Sequence, residues 1–204
     1  KEYLKFFNVY GPTECTCICS SYKISKFDFS QNEMIKYAPL GKKMIEKFKY
    51  YILNKNKKCR PNQKGELVLC GENVGKGYFN NPAETRKKFV QNHFVKNKKD
   101  IVYMTGDIVY QNKNSKLIYF ISRSDNQIKY MGHRIELDEI EKAINNIKYV
   151  KRGLVTFGKK NKLNEITGWI NSDKKNEYDI KQKLSKILPN YMIPSKINFL
   201  RKIP

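Results

Sequence analysis

Histidine and tryptophan are scarce, with two and one among 204 residues, and two imidazoles supply little for a metal centre. No run approaches the roughly 18 apolar residues of a membrane-spanning helix. The opening KEYLKFFNVYGP carries a short apolar patch but not the small-residue cleavage site of a secretory leader. Proline- or serine-rich linkers and internal repeats are missing too. Cysteines number five, an odd count, and three crowd into Cys15-Thr16-Cys17-Ile18-Cys19. Without a sign of secretion, that pattern points to reduced thiols in a soluble, cytoplasmic protein and not to a disulfide framework. Hydrophobic residues make up 40 % and aromatics 13 %, which excludes a disordered chain and supplies a core that needs no staple.

Acidic residues are few, 19 against 41 Lys and Arg, and the net charge is +22. Such a balance raises nucleic acid as a partner, because clustered cations release counterions from phosphates. The distribution argues otherwise: six of the 41 are Arg, and Lys is scattered through nearly every expected loop among abundant Asn. A compositionally biased, solvated surface fits this pattern. A preference for acidic protein partners stays open, since a basic surface accelerates encounter with them.

The character of the chain changes near residues 122–126. Before that point, strands are expected over Cys15–Tyr22, Lys49–Leu53, Glu66–Cys70 and Leu117–Ile121, separated by Gly and Asn-Pro breaks. After Asp125 the expected order is strand, helix, strand, strand, helix and a short strand, a small α+β unit. The first helix carries Leu137, Ile140, Ala143, Ile144 and Ile147 at helical spacing, with Asp138 and Glu141 as a capping-box-like start. The second puts Ile180, Leu184, Ile187 and Leu188 on one face and stops before Pro189.

Three segments carry chemistry. In Asn8-Val9-Tyr10-Gly11-Pro12-Thr13-Glu14 a Gly-Pro turn presents a ring, a hydroxyl and a carboxylate, suited to base stacking, phosphate contact and a hard cation. Tyr103-Met104-Thr105-Gly106-Asp107 ends an expected strand with a carboxylate able to accept from two sugar hydroxyls. The stretch from Ser122 to Glu136 lies at the composition break and leads into the first helix. Each segment alone is a weak signal; their order is specific.

Together they resemble the C-terminal half of the adenylate-forming (ANL) enzymes, within them the amino-acid adenylation domains of nonribosomal peptide synthetases and the D-alanine:carrier-protein ligases. NVYGPTE, GELVLCGENVGKGYFNNPAETRKKFV, YMTGD, SRSDNQIKYMGHRIELDEIE and LPNYMIP are similar to the fifth to ninth core motifs and cover nearly the whole chain. The resemblance implies an α+β fold: residues 1–124 as the β-rich, distorted barrel-like end of the large AMP-binding domain, and 125–204 as a truncated small mobile domain. It implies ATP and Mg²⁺ as cofactors and a phosphopantetheine thiol on an acidic acyl or peptidyl carrier protein as acceptor. Tyr10 and Gly11 would form the adenine site, Thr13 would touch the α-phosphate, and Glu14 would help hold Mg²⁺. Asp107 and Arg123 would take the ribose, and Asp125 would be the hinge. Lys129 would face the site with Gly132, at the thiol tunnel, in the thioester-forming conformation. Val9, Cys17 and Ile18 would line the substrate pocket and, being uncharged, suit a small or apolar amino acid.

Ser122, Met104 and the GKGY stretch depart from the commoner Gly, Arg and ARGY. The family's phosphate-binding loop is expected upstream of residue 1 and its catalytic lysine just past Pro204, so the chain is expected to be a fragment, inactive by itself. An acyl-CoA synthetase of the same superfamily and a non-catalytic docking module stay open. Cys15, Cys17 and Cys19 on a strand would share one face, as buried thiols or, with His93 or His133, as a zinc site. His133 is expected to be a surface or structural residue, or else a general base. Glu136, Glu139 and Glu141 suit a helix start, and KFKYYIL suits a half-buried strand better than a nucleic-acid platform.

Overall fold

A computed structural model describes residues 4–25, 28, 38–43, 48–55, 57–91, 101–160 and 163–203, and the fold is α+β. The chain divides into two compact units, Lys1–Ser124 and Asp125–Pro204. In the first, β1 (Phe7–Tyr10), β2 (Ser20–Lys23) and β3 (Lys42–Lys43) make an antiparallel sheet. A second antiparallel sheet holds β4 (Lys49–Asn54), β5 (Lys57–Lys58), β6 (Lys64–Cys70), β7 (Phe89–Gln91), β8 (Ile101–Gln111) and β9 (Ile118–Arg123). Its order is β5-β4-β6-β8-β7, with β9 beside the C-terminal half of β8.

The unbroken Leu67-Val68-Leu69-Cys70 run makes β6 a strand buried on both faces. Leu67 and Leu69 join Phe48, Phe89 and Tyr103 in one cluster, while Val68 and Cys70 join Leu53 and Val102 in another. The KFKYYIL stretch follows the same rule: Tyr50 and Ile52 pack toward the first cluster, Tyr51 and Leu53 toward the second.

Three expectations need correction here. Cys15–Tyr22 is not one strand: Thr13–Cys15 forms a 3₁₀ turn and β2 begins only at Ser20. Thr16 and Cys17 adopt φ of 57° and 75°, which an extended strand does not admit. The strand carrying Tyr103–Asp107 does not end there but runs on to Gln111. An Asn-Pro pair read as a break starts α1 (Pro82–Lys88), where Asn81 accepts a hydrogen bond from the Glu84 amide at 3.1 Å and Pro82 opens the first turn.

In the second unit the first expected strand is a hairpin, β10 (Gln127–Tyr130) and β11 (His133–Glu136), which reverses at Met131-Gly132. Both turn residues have positive φ, 50° and 80°, as a two-residue type I′ turn requires. Then follow α2 (Leu137–Asn145), β12 (Val150–Lys160), β13 (Leu163–Ser172), α3 (Glu177–Leu184) and β14 (Lys196–Phe199). β12 and β13 pair antiparallel, β13 and β14 parallel. Ile140 and Ile144 of α2 and Ile180 and Leu184 of α3 meet Ile166 and Ile170 of β13 in one core.

The capping box does not form. Asp138 accepts instead from the Asn126 side-chain amide at 2.8 Å, and Glu141 from the Val155 backbone amide at 2.8 Å, so they tie α2 to the bend before β10 and to the strand that begins at Val150. Ile187 lies 62 % exposed, off the Ile180 face, because beyond Leu184 the chain takes up tighter three-residue hydrogen bonds that rotate it outward. Among the described residues, no helix is long and apolar enough to cross a membrane.

Candidate nucleotide site

β8 loses register with β6 at Thr105-Gly106-Asp107. Glu66 faces Ile108 and Val68 faces Met104, so Leu67 alone stands opposite three residues. Such a bulge re-aims a side chain out of the pleat's alternation. Gly106 sits at φ 76°, the left-handed region that favours glycine. The Thr105 hydroxyl donates to the Leu67 carbonyl at 2.7 Å and accepts from the Asp107 amide at 2.9 Å. The Gly106 amide donates to Oε1 of Glu66 at 2.9 Å. Just past β9, the Ser124 amide and hydroxyl both donate to the Gly106 carbonyl, at 2.8 and 3.1 Å.

The bulge delivers the carboxylate of Asp107, a residue 7 % exposed overall, to two partners. Arg123, its cross-strand neighbour on β9, donates to Oδ1 at 2.8 Å, and the Tyr10 hydroxyl at the end of β1 donates to Oδ2 at 2.5 Å. Burial, and then the charge of Asp107, hold the Tyr10 phenol well above its ordinary range, so it stays a neutral donor. Each carboxylate oxygen has two lone pairs. One partner on each leaves acceptor capacity on both, the pattern needed to take two adjacent sugar hydroxyls.

Beside Tyr10 the chain turns tightly. A Cβ on Gly11 would fall 2.0 Å from the Cys17 carbonyl oxygen, so only glycine lets the loop close there. Thr13 is exposed at the start of the 3₁₀ turn. Glu14 accepts from the Tyr78 hydroxyl at 2.7 Å, and its carbonyl from the Gly75 amide at 2.8 Å. Asn73 completes the clamp: its side-chain amide donates to the Cys15 carbonyl at 2.9 Å, and its backbone carbonyl accepts from the Thr16 hydroxyl at 2.9 Å. The Gly71–Tyr78 loop thus holds the segment that carries Glu14.

The structure brings Tyr10, Asp107 and Arg123 into one hydrogen-bonded group and sets Gly11, Thr13 and Glu14 on the loop that leaves Tyr10. Val9, Cys17 and Ile18 are exposed, Val9 at 51 % and Ile18 at 39 %. Asp125 lies in the bend between β9 and β10, where its Oδ1 accepts from the Gln127 amide at 3.4 Å. Lys129 and Gly132 are exposed on the β10–β11 hairpin of the second unit. Glu66, Thr105, Asn73, Tyr78 and Ser124 were not singled out from sequence. All five stand inside GELVLCGENVGKGY, YMTGD and SRSDNQIKYMGHRIELDEIE, and those motifs were the available signal.

The three clustered cysteines do not share a face: Cys15 and Cys19 are buried and Cys17 is exposed, because the chain between them is a turn. The hydrogen bond with Cys19, and then burial, push the Cys15 thiol far above its ordinary range. Among the described residues, no three His, Cys, Asp or Glu side chains gather as a metal-ion site, and His93 lies outside those residues. The Glu14 carboxylate has the chemistry to hold Mg²⁺ together with nucleotide phosphates, since that ion is commonly held by one or two carboxylates plus substrate oxygens. His133 is exposed and stacks on Tyr191 with ring centroids 3.7 Å apart and planes within 2°, a structural contact.

Residues 2–79 match the AMP-binding enzyme family. Bacitracin synthase 1 of Bacillus licheniformis is 36 % identical over 200 residues, 97 % of this chain and 4 % of that protein. The D-alanine--D-alanyl carrier protein ligase of Bacillus licheniformis is 35 % identical over 210 residues, 98 % of this chain and 39 % of that protein. The chain therefore spans well under half the length of these relatives. Among solved structures, IdnL1 superposes with a TM-score of 0.84 at 20 % identity, covering 98 % of this chain and 40 % of that one. PA1221, an NRPS protein containing adenylation and PCP domains, gives a TM-score of 0.76 at 24 % identity, covering 98 % of this chain and 39 % of that one. These likenesses carry the fold.

Proposed function

The chain belongs to the adenylate-forming (ANL) superfamily of AMP-binding enzymes, and from that premise we propose that it is part of an amino-acid-activating ligase. The observation that carries this reading is the Tyr10–Asp107–Arg123 group, a fixed carboxylate with spare acceptor capacity beside an aromatic ring. In the reaction, an amino-acid carboxylate oxygen attacks the α-phosphorus of ATP and the bond to pyrophosphate breaks, giving an aminoacyl adenylate. The acyl group then passes to the phosphopantetheine thiol of a carrier protein, and AMP leaves.

Within this scheme Tyr10 stacks on adenine, with Gly11 shaping the turn beneath it. Asp107 accepts from the ribose hydroxyls, and Arg123 holds that carboxylate in orientation. Thr13, exposed one residue before Glu14, contacts the α-phosphate. Glu14 is the candidate ligand for Mg²⁺, which when bound would neutralise charge on the phosphate oxygens. Fixed donors and charges aimed at the developing phosphorus charge are what such a step needs, since the protein supplies no covalent group.

Asp125, at the junction of the two units, serves as the hinge, and Lys129 and Gly132 on the small unit's hairpin act in the thioester step. Val9, Cys17 and Ile18, all uncharged, favour a small or apolar amino acid; a charged one would need a countercharge. The net charge of +22 suits an acidic carrier protein as partner.

Amino-acid-dependent exchange of pyrophosphate into ATP by the full-length enzyme, against a panel of amino acids and other carboxylic acids, tests this. Exchange with alanine or valine is expected. Exchange confined to acids without an amino group would point to an acyl-CoA synthetase, and none with any acid would leave only a docking module.

A further inference from the structure

The bulge in β8 has a cost that one side chain meets. With three residues opposite Leu67, the Gly106 amide is turned away from the β6 backbone and donates instead to Oε1 of Glu66, 40 positions earlier and on the neighbouring strand. An amide left without an acceptor inside a sheet is expensive, and the cheapest relief is to slide the strand back toward regular pairing. Sliding would move Asp107 off its partners, because its aim depends on the extra residues.

Ser124 fastens the other side of the bulge by holding the Gly106 carbonyl, and Thr105 bridges it internally. Glu66 is the only one of these fastenings that a side chain of β6 makes among the described residues.

We propose that Glu66 is a positioning residue for ribose recognition: its carboxylate locks the Thr105–Asp107 bulge so that Asp107 meets the sugar. The proposal rests on the nucleotide reading above. It requires an acceptor at the reach of Glu66 Oε1, and the charge is secondary, so glutamine should serve.

The test uses the full-length enzyme and amino-acid-dependent pyrophosphate exchange, with ATP and 2′-deoxy-ATP as probes. A hydroxyl donating to a carboxylate makes ATP the better substrate in kcat/KM by about tenfold or more. Glu66→Ala is expected to cut that preference to within about threefold, which is the ratio left when less than one kcal/mol separates the two nucleotides. Glu66→Gln should keep it. Should Glu66→Ala fail to fold, Glu66→Asp keeps the charge, draws the acceptor back by one methylene, and should show the same loss. Asp107→Ala is the reference. If Asp107→Ala loses the preference while the Glu66 variants keep it, Glu66 has no positioning role. If Asp107→Ala itself keeps the preference, the ribose site is elsewhere and both ideas fall. A uniform drop in rate with the preference intact would mark Glu66 as structural only.

Discussion

Replacing Asp107 by alanine should separate ATP recognition from folding. The side chain is 10 % exposed and carries two protein bonds, to Arg123 at 2.8 Å and to Tyr10 at 2.5 Å. Within the proposed site it would also accept from the ribose, and a hydrogen bond to a charged group is worth about 1.5 to 3 kcal/mol. One such bond lost is about tenfold to a hundredfold in kcat/KM for ATP, and two lost together exceed tenfold even when they overlap. Stability should fall as well, because Arg123, 20 % exposed, is left without its carboxylate. Breaking a fully buried pair costs about 3 to 5 kcal/mol, and water reaching Arg123 should reduce that. The assay is pyrophosphate exchange with ATP varied at saturating amino acid, together with a thermal melt of the same preparation. A loss well over tenfold for ATP, an unchanged KM for the amino acid and a cooperative melt are expected. Should KM and kcat for ATP both stay within twofold, the ribose role is refuted.

Tyr78→Phe keeps the edge contact with Phe89 at 5.3 Å but removes the donor to Glu14, so half-maximal exchange should need about tenfold more Mg²⁺ with the rate at saturation largely recovered; an unchanged Mg²⁺ curve counts against Glu14 as a ligand. A maleimide should label exposed Cys17 and spare Cys15 and Cys19 until the protein is denatured, and cognate amino acid with ATP should slow that labelling; equal rates with and without substrate would remove Cys17 from the pocket. The Tyr149–Asp179 bond at 2.6 Å holds the Asp179 carboxyl below its ordinary range, while burial and then that bond push Tyr149 up to about 12. Its stabilisation is therefore present above about pH 4, lost as acid protonates Asp179, and lost again as pH rises from about 10 through 12; Tyr149→Phe should narrow the wild-type minus variant gap in urea midpoint at both ends, and a pH-independent gap would contradict it. Asp125→Pro fixes φ near −65° and restricts Ser124, so exchange should persist while carrier thioester formation is mostly lost; equal loss in both half-reactions would make Asp125 an ordinary loop residue.

How much was legible depended on whether one periodicity dominated. Ile140, Ala143 and Ile144 announce α2 because a single helical stripe faces a single core. Lys49–Leu53 and Glu66–Cys70 announce strands because apolar residues fill both faces of a covered sheet. The turn at Thr16-Cys17 was hidden, because neither residue type advertises a positive φ and the alternation of small and β-branched residues mimics a strand. Asn81-Pro82 was ambiguous in principle, since the same pair that interrupts a strand also caps and opens a helix. At the candidate site, Tyr10, Asp107 and Arg123 were legible by resemblance, but their mutual hydrogen bonds were not, since a register shift is not written in any local pattern.

That register shift also explains why so short a segment as Thr105-Gly106-Asp107 can define a site. A regular β8 would commit Asp107 to the alternation of its strand, with its backbone groups absorbed by the ladders on either side. Instead both ladders slip beside it: β8 carries two extra residues opposite Leu67 of β6, and β9 places one extra residue, Ile121, between the partners of Val109 and Ile108. Each residue type then has one task. Threonine supplies a hydroxyl that closes the bulge, glycine supplies the left-handed backbone, and aspartate supplies the carboxylate. The remaining loose ends, the Gly106 amide and carbonyl, have to be met from outside, by Glu66 on β6 and Ser124 after β9. A strand that must be irregular to present its carboxylate therefore depends on residues distant in sequence for its shape, and substitutions at Glu66 should be read first in what the nucleotide's sugar contributes.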